Sequence, residues 1–391
     1  MSISNTYKAG KHFLQVPGPT NIPDRILRAM DAPTIDHRGP KFAALSKSVL
    51  ERIKLIFKST DPVVIYPSAG TGAMEASLVN TLNEGDKIIM FETGEFARQW
   101  YQAAERFKIN VDYISGDWRT GADPKIVKEK LLADKKNEIK AVLVTHNETS
   151  TGIKSRVEEI RKAIDEANHP ALFMVDTISS LGSYNYEHQK WKVDVTVAGS
   201  QKGLMLPPGM SFNAISNKAL EAYKNSKMPK SYFDWGQMLE SNKSGFYPYT
   251  PATNLLYGLN ESINMLLEEG LDNVFARHKR LADATRLAVE AWGLEILAKN
   301  PIERSDSITA IMVPDGHDSD NLRKIIYDNY NMSLGTGLNK VKSKVFRIGH
   351  LGDLNDLSLM GALAGVEMGL KQSGIPYKSG GIMAAIDFLS S

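Results

Sequence analysis

Short apolar segments alternate with longer amphipathic segments through the first two thirds of the chain, and this alternation strongly constrains the fold. The apolar segments are nearly continuous, as is typical of strands buried on both faces of a sheet. They are Pro62–Tyr66, Lys87–Phe91, Asn110–Tyr113, Ala141–Thr145, Ala171–Asp176 and Val193–Gly199. The pattern predicts an α/β fold in which helices cover both faces of a mainly parallel sheet. Such sheets bind ligands beyond the carboxyl ends of their strands.

The pattern changes near residue 253. Helical periodicity runs through Thr253–Glu269 and Leu271–Trp292, and shorter strands and helices follow, with a glycine-rich stretch at Gly335–Gly337. We therefore predict three parts in the 391 residues. These are an N-terminal arm (1–20), a large ligand-binding domain (21–260) and a smaller C-terminal α+β domain (261–391).

The composition excludes several classes of function. The chain has no cysteine, which excludes disulfides, thiolate metal sites and a cysteine nucleophile. Its 47 Lys and Arg residues are interleaved with 45 Asp and Glu residues, without a basic stripe for nucleic acid. No segment approaches the roughly 18 consecutive apolar residues of a membrane span, and the histidines lack metal-binding spacing. We expect no nucleic acid, membrane or metal partner, and a cytoplasmic location.

Lys202 is the first candidate for chemistry. It follows the apolar strand Val193–Gly199 through a tight turn, so its amine points toward an interior where the neutral form is favoured. A neutral lysine amine is a nucleophile that forms a Schiff base with a carbonyl. Asp176 ends the preceding strand, and an acid beside such a lysine is what pyridoxal phosphate (PLP) requires for its ring nitrogen. Taken singly, Lys202 also suits a solvated loop and Asp176 a helix N-cap.

A phosphate site is predicted where the strand Pro62–Tyr66 gives way to a helix. Ala69, Gly70 and Thr71 lie in that turn, where free N–H groups and the helix dipole favour an anion. A dinucleotide fingerprint would need a third glycine where this chain has Glu75, and no Walker A motif is present. A single phosphate monoester fits this turn best.

Aromatic and hydroxyl side chains follow two other strands. Phe96 and Trp100 are four residues apart on one helical face; Phe96 is a candidate to stack on a pyridine ring, whereas Trp100 is expected in the core. The segment Thr145–Gly152 carries several hydroxyls, and it also carries His146, which is within reach of a ring oxygen. Hydroxyl-rich loops are also common in ordinary turns.

Arg347 lies inside an otherwise apolar strand, where an arginine is costly unless an anion pairs with it. That anion is either a structural carboxylate or the carboxylate of an amino-acid substrate. Arg38, in the loop Asp36–Gly39, is a second candidate, in this case for the substrate side chain.

These residues lie in motifs that together resemble the class V aminotransferases of fold-type-I PLP enzymes, and within them the serine–glyoxylate and alanine–glyoxylate enzymes. The motifs span nearly the whole chain. They are VPGPTNIP (Val16–Pro23), AGTGAMEA (Ala69–Ala76), THNETSTG (Thr145–Gly152), VDTISSLG (Val175–Gly182), GSQKGLMLPPG (Gly199–Gly209), YPYTP (Tyr247–Pro251) and FRIGHLG (Phe346–Gly352).

The resemblance implies roles for individual residues. Lys202 would bond the cofactor, and Asp176 would pair with its ring nitrogen. The remaining implied contacts are Phe96 on the ring, Thr149 near the phenolic oxygen, Gly70, Thr71 and Gln201 on the phosphate, and Arg347 on the substrate carboxylate. Tyr247 and Thr250 would reach the phosphate of a neighbouring subunit, which implies a homodimer with shared active sites. Ala69 departs from the family pattern, since some members have a hydroxyl residue there.

The implied reaction moves the amino group of serine or alanine to glyoxylate, giving glycine and a 2-oxo acid. An aspartate–glyoxylate aminotransferase is the main alternative, because Arg38 would also suit a dicarboxylate. Cysteine desulfurases share this fold but need a cysteine, which the chain lacks. A nucleotide-binding oxidoreductase and an inactive binding protein are more distant alternatives.

Overall fold

The computed structural model describes residues 9–391, and in these residues helices pack around two main sheets. In chain order the elements up to the middle of the chain are β1 (Phe13–Gln15), α1 (Asp24–Met30), α2 (Pro40–Phe57), β2 (Val63–Tyr66), α3 (Gly70–Thr81), β3 (Lys87–Phe91), α4 (Glu95–Arg106), β4 (Asn110–Ile114), α5 (Pro124–Ala133), β5 (Ile139–Thr145), β6 (Asn147–Glu148), β7 (Ile153–Lys154), α6 (Val157–Glu166), β8 (Leu172–Asp176) and β9 (Val195–Gly199). They continue with β10 (Ser211–Ile215), α7 (Asn217–Asn225), α8 (Trp235–Lys243), α9 (Thr253–Glu269), α10 (Leu271–Ala291), β11 (Glu295–Ile296), β12 (Ile308–Met312), α11 (Ser319–Tyr330), β13 (Met332–Thr336), β14 (Val345–Gly349), α12 (Asp356–Ser373) and α13 (Gly381–Leu389).

The large sheet has seven strands in the order β2-β10-β9-β8-β5-β3-β4. Neighbours from β9 to β4 are parallel, whereas β10 runs antiparallel to both β9 and β2. The predicted α/β fold with a mainly parallel sheet is therefore confirmed.

Helices cover both faces of this sheet, which explains why its strands are apolar at nearly every position. Along β5, Val142 and Val144 belong to one apolar cluster, together with residues of α2 and α6. The alternate residues Ala141 and Leu143 belong to a second cluster, together with residues of α3 and α4. Side chains of successive strand residues point to opposite faces, so both faces must be apolar.

The carboxyl ends of three neighbouring strands bring polar residues together. In the register of the sheet Thr145 on β5 is opposite Asp176 on β8, and Asp176 is opposite Val197 on β9. The turn that carries Lys202 begins directly after β9. These predicted residues therefore share one edge of the sheet.

The smaller sheet has the order β1-β13-β14-β12-β11. Its first strand, Phe13–Gln15, comes from the predicted N-terminal arm and runs parallel to β13. Arg347 lies in the middle of β14, opposite Gly335 and Ala310 on the strands to either side. A second apolar core lies between this sheet and helices α10 to α13. The domain division at residues 20 and 260 stays a prediction.

The helical pattern from Thr253 to Trp292 is interrupted at one residue. Gly270 has a φ of +83°, and it ends α9 and precedes α10. A residue with a side chain is strained at this backbone angle, so glycine permits the chain to break there.

Candidate active site

Lys202 is a buried amine at the carboxyl edge of the large sheet. It is 7% exposed, and its Nζ donates a hydrogen bond of 2.5 Å to the carbonyl oxygen of Pro17. The pKa of Lys202 is lowered to about 7, chiefly by burial and secondly by the positive charge of Arg347, while Asp176 acts in the opposite direction. Much of this amine is therefore neutral near pH 7, and a neutral amine can act as a nucleophile or a base.

The N-terminal segment covers this lysine. Thr20 donates hydrogen bonds to the carbonyl oxygens of Gln201 (3.1 Å, from N) and Lys202 (3.3 Å, from Oγ1). A Cβ atom built on Gly18 would lie 2.4 Å from Cδ of Lys202, and Gly18 has a φ of +106°. Both the space and the backbone angle therefore require glycine here. Sequence reasoning included this segment in a motif but missed its contact with the lysine.

Asp176 is a buried carboxyl group on the neighbouring strand and is 2% exposed. Its Oδ1 accepts a hydrogen bond of 2.8 Å from the backbone of Ile178, and Oδ2 accepts none from residues 9–391. The pKa of Asp176 is raised to about 7, chiefly by burial and also by the negative charge of Glu148, whereas Ile178 and Lys202 act to lower it. Oδ2 is thus available to a protonated ring nitrogen.

The pKa of Lys202 predicts a pH-dependent stability for the protein without cofactor. The folded value of about 7 is below the ordinary 10.5. The unfolded chain therefore binds more protons between these values, and the destabilisation due to Lys202 is fully present below pH 7 and fades toward pH 10.5. We expect Lys202→Met to raise the melting temperature of the PLP-free protein more near pH 6 than near pH 10.

Thermal unfolding at both pH values checks this expectation. Lys190→Met is the matched control, because Lys190 is exposed. An increase of the same size at both pH values would contradict a lowered Lys202 pKa.

Arg347 is the other buried cation of the site. Within residues 9–391, Lys202 and Arg347 are the only lysine and arginine residues that are buried. Arg347 donates from Nε to the carbonyl oxygen of Thr336 (2.8 Å) and from Nη1 to that of Thr149 (2.7 Å). Its Nη2 donates to no residue in this range, and no carboxylate in the range forms an ion pair with it. The structural salt bridge considered from the sequence is therefore absent there, and the guanidinium can bind an anion.

Glycine residues bring the phosphate end close to Asp176. A Cβ atom on Gly70 would lie 2.4 Å from Cδ1 of Ile178. A Cβ atom on Gly199 would lie 3.2 Å from Oε1 of Gln201 and 3.8 Å from Cα of Gly70. Ala69 is the N-cap residue of α3, and Ala69 and Thr71 are exposed. The start of α3 and Gln201 thus lie close to Ile178, two residues after Asp176, and their shared ligand stays a prediction.

Phe96 lies in the first turn of α4 and is half-buried. Its backbone N–H donates a hydrogen bond of 3.3 Å to Oε1 of Glu148, a residue that sequence reasoning did not single out. Trp100 is fully buried in the apolar core, as predicted. Thr149 is buried, and its Oγ1 donates a hydrogen bond of 2.7 Å to Oγ of Ser179.

Other predicted residues lie outside this group. Arg38 is exposed, and it contacts Asp36 and His37 of its own loop. Thr250 is exposed, and the ring of Tyr247 packs edge-on against Phe42 at 6.1 Å. The side chain of His146 contacts protein groups: its Nδ1 lies 3.0 Å from Oγ of Ser180, and its ring contacts an aromatic cluster. That cluster consists of Tyr184, Tyr186 and Trp191.

These residues fit PLP by three observations. The side-chain amide of Gln201 forms no hydrogen bond with the described part of the chain, so its NH2 group is available to donate to a phosphate, and the N–H groups of Gly70 and Thr71 also donate to no residue in that part. Oδ2 of Asp176 and Nη2 of Arg347 are likewise unpartnered there. The start of α3 and Gln201 would bind the phosphate of PLP, and Asp176 would bind its protonated ring nitrogen. Nη2 of Arg347 would bind the carboxylate of the substrate. The part of the chain that the structure describes has no cluster of metal ligands.

The comparison with protein families identifies the group to which this chain belongs. The sequence model described as aminotransferase class-V matches residues 12–348. The chain belongs to the class V aminotransferase family. The enzymes of this family depend on PLP.

Across residues 9–391 there is no helix with the length and apolarity that a membrane crossing needs.

Individual relatives of this class V aminotransferase cover almost its full length. It is 48% identical to serine–glyoxylate aminotransferase of Methylorubrum extorquens, with 98% of this chain and 97% of the relative covered. It is 44% identical to L-aspartate–glyoxylate aminotransferase of Paracoccus denitrificans, with 95% and 94% covered. Pyridoxamine–pyruvate aminotransferase from Mesorhizobium loti has a similar structure, with a TM-score of 0.91, 25% identity and coverage of 98% and 99%.

Proposed function

We propose that this class V aminotransferase uses PLP bonded to Lys202 to transfer the amino group of serine to glyoxylate. The observation that carries this proposal is the convergence of three buried charged groups. Lys202, Asp176 and Arg347 come from different strands or turns, yet each is 7% exposed or less, and Lys202 is electrostatically coupled to the other two. Charged side chains are rarely buried unless they have a partner or a function.

When bound, PLP stabilises negative charge at the substrate Cα by spreading it into a protonated pyridine ring. Asp176 would keep that ring nitrogen protonated through its free Oδ2. The start of α3 and Gln201 would hold the phosphate, and Phe96 would pack on the ring. Thr149 would lie near the phenolic oxygen.

Lys202 would act as the general base once the substrate amine has replaced it. Its pKa of about 7 suits this role, because a base works best when its pKa lies near the operating pH. The neutral amine would accept the proton from the substrate Cα, and the resulting ammonium would be the acid that gives the proton back. The same side chain would serve as acid and base in the return half-reaction with glyoxylate. The carbonyl oxygen of Pro17 would hold the amine between these steps.

Arg347 would bind the carboxylate shared by every donor and by glyoxylate. We expect Arg347→Lys to raise the KM for serine by about tenfold or more, because a lysine cannot form two parallel hydrogen bonds to a carboxylate. The kcat should fall less than kcat/KM does. Steady-state kinetics with varied serine checks this, with Arg106→Lys as the matched control, because Arg106 is exposed at the far end of α4. An unchanged KM would show that the carboxylate binds elsewhere.

Serine suits the described site better than aspartate does. A dicarboxylic donor needs a second cation, and the only buried lysine and arginine side chains within residues 9–391 are Lys202 and Arg347. Arg38 remains the candidate for such a cation, although it is exposed in the single chain. Aspartate is retained as the alternative donor because the Paracoccus relative, named for aspartate, is 44% identical.

The test compares serine, alanine and aspartate as donors to glyoxylate, with glycine formation as the readout. The proposal expects the highest kcat/KM with serine. A clear preference for aspartate that Arg38→Ala abolishes would replace serine by the alternative. No glycine from any donor would contradict the proposed acceptor.

We also propose that two copies of the chain share their active sites. The exposed positions of Thr250 and Thr71 support this arrangement, since both are accessible to a second chain. In it Tyr247 and Thr250 would complete the phosphate site of the other subunit.

A further inference from the structure

Glu148 is a fully buried carboxylate beside the proposed cofactor site, with 0% exposure. Within residues 9–391 its carboxylate accepts hydrogen bonds from three backbone N–H groups and one hydroxyl group. Oε1 accepts from Phe96 N (3.3 Å), Ser150 N (3.0 Å) and Ser150 Oγ (2.7 Å), and Oε2 accepts from Ala97 N (3.0 Å). The pKa of Glu148 is raised above its ordinary value, chiefly by burial, although these hydrogen bonds act to lower it. A set consisting only of donors favours the ionised carboxylate, which accepts at both oxygens.

These bonds fix the beginning of α4. The first N–H groups of a helix have no partner within the helix, and here a carboxylate from another strand accepts from two of them. Ser150 extends the network, because its Oγ also accepts a hydrogen bond of 2.9 Å from the backbone of Glu95. The negative charge is also favourable at the positive end of the helix dipole.

Gly94 makes room for this carboxylate. A Cβ atom at Gly94 would lie 2.3 Å from Cγ of Glu148 and 2.4 Å from Oγ of Ser150. The loop before α4 and the strand β6 therefore approach each other more closely than a side chain would allow. The backbone of Phe96, two residues later, is held from the same side.

The charge of Glu148 also faces the catalytic cluster. It acts electrostatically on Asp176 and on Arg347, and Tyr113 faces it from β4. Arg347 donates a hydrogen bond to the carbonyl oxygen of Thr149, the residue after Glu148, so Glu148 lies near the proposed carboxylate site while its oxygens are occupied by α4 and Ser150. It does not need to touch the cofactor to influence it.

We propose that Glu148 is a positioning residue that holds the start of α4 and thereby orients Phe96 against the PLP ring. This inference rests on the proposed function, because it assigns a role toward the proposed cofactor. The proposed function already predicts that Phe96 contacts PLP. The present inference adds that Glu148 fixes the position of the Phe96 side chain.

A double-mutant cycle on PLP affinity tests the proposal without relying on turnover. We expect Glu148→Gln, which keeps the shape and removes the charge, to weaken PLP binding by about tenfold or more. In a Phe96→Leu background the same change should cost less than about threefold, because residues that act as a unit are non-additive. The visible circular dichroism of bound PLP should change in Glu148→Gln. Glu75→Gln, an exposed carboxylate on α3, is the matched control and should change neither quantity.

Each outcome decides a different point. Equal losses of affinity in the wild-type and Phe96→Leu backgrounds would overturn the positioning role, and a lower melting temperature with unchanged affinity would overturn it too. If Glu148→Gln does not fold, Ser150→Ala is the substitute, because it removes one hydrogen-bond partner of the same carboxylate. Its effect on PLP affinity should also be non-additive with that of Phe96→Leu, with a smaller coupling energy. Failure of the wild-type protein to bind PLP would overturn the cofactor proposal and this inference together. PLP binding without coupling would overturn this inference alone.

Discussion

Lys202→Ala is expected to lower the rate of transamination by about 10^4-fold, the upper end of the range for loss of a general base, while leaving the fold intact. The variant loses both the amine that bonds PLP and the base that moves the Cα proton. The fold should tolerate the change, because among residues 9–391 the amine makes a single hydrogen bond, to Pro17, and burial disfavours its charged form. Glycine formation from serine and glyoxylate measures the rate, and the visible absorbance of added PLP reports its bond to the protein.

The matched control for this variant is Lys190→Ala, since Lys190 is an exposed lysine in the connection between β8 and β9. Far-ultraviolet circular dichroism and thermal unfolding show whether each variant is folded. Turnover in folded Lys202→Ala at more than a small fraction of the wild-type rate would remove Lys202 from its proposed role. Loss of activity in Lys190→Ala as well would indicate an effect on the fold rather than on chemistry.

Asp176→Asn is expected to lower kcat by about 10²–10³-fold, the size of effect seen when one preorganised electrostatic group is removed. Asparagine keeps the shape and can still accept the hydrogen bond from Ile178. It carries no negative charge, however, so it cannot keep the pyridine nitrogen protonated. PLP binding should also weaken by about tenfold, because a hydrogen bond to a charged group is lost. Measurements of kcat with saturating serine and of PLP affinity check the two expectations.

Asp194→Asn is a suitable control for this second prediction. Asp194 is also a buried carboxylate beside the large sheet, and it accepts hydrogen bonds from Phe173 N (2.8 Å) and Ser216 Oγ (2.9 Å). Its replacement should reduce stability and leave the kcat of the folded protein unchanged. An Asp176→Asn variant with wild-type kcat would mean that another group protonates the ring nitrogen.

The parallel strands of the large sheet are predictable from sequence because burial on both faces makes them continuously apolar. Strand β10 (Ser211–Ile215) was not predicted, and its polar Asn213 explains why. That amide is buried through hydrogen bonds to Tyr66 and Ala73, which are far away in sequence. Helix α2 (Pro40–Phe57) was also missed, although Pro40 at its start and the spacing of Val49, Ile53 and Ile56 are sequence signals for it.

The chemical residues at strand ends were predictable for a similar reason. Lys202, Asp176 and Arg347 each interrupt or end an apolar run, so their burial follows from the pattern around them. Glu148 gives no such signal, because its burial depends on α4, which begins about fifty residues earlier in the chain. Arg38, predicted for the substrate side chain, is exposed in the single chain, and its role stays a prediction.

The measurement that tests the central claim most directly is a half-reaction of the PLP-loaded protein with serine. The account predicts that serine converts the absorbance of bound PLP to that of the pyridoxamine form, and that glyoxylate then restores it with release of glycine. The Lys202→Ala variant should show neither change at a comparable rate. A protein that binds PLP but gives no change with serine, alanine or aspartate would contradict the proposed transamination.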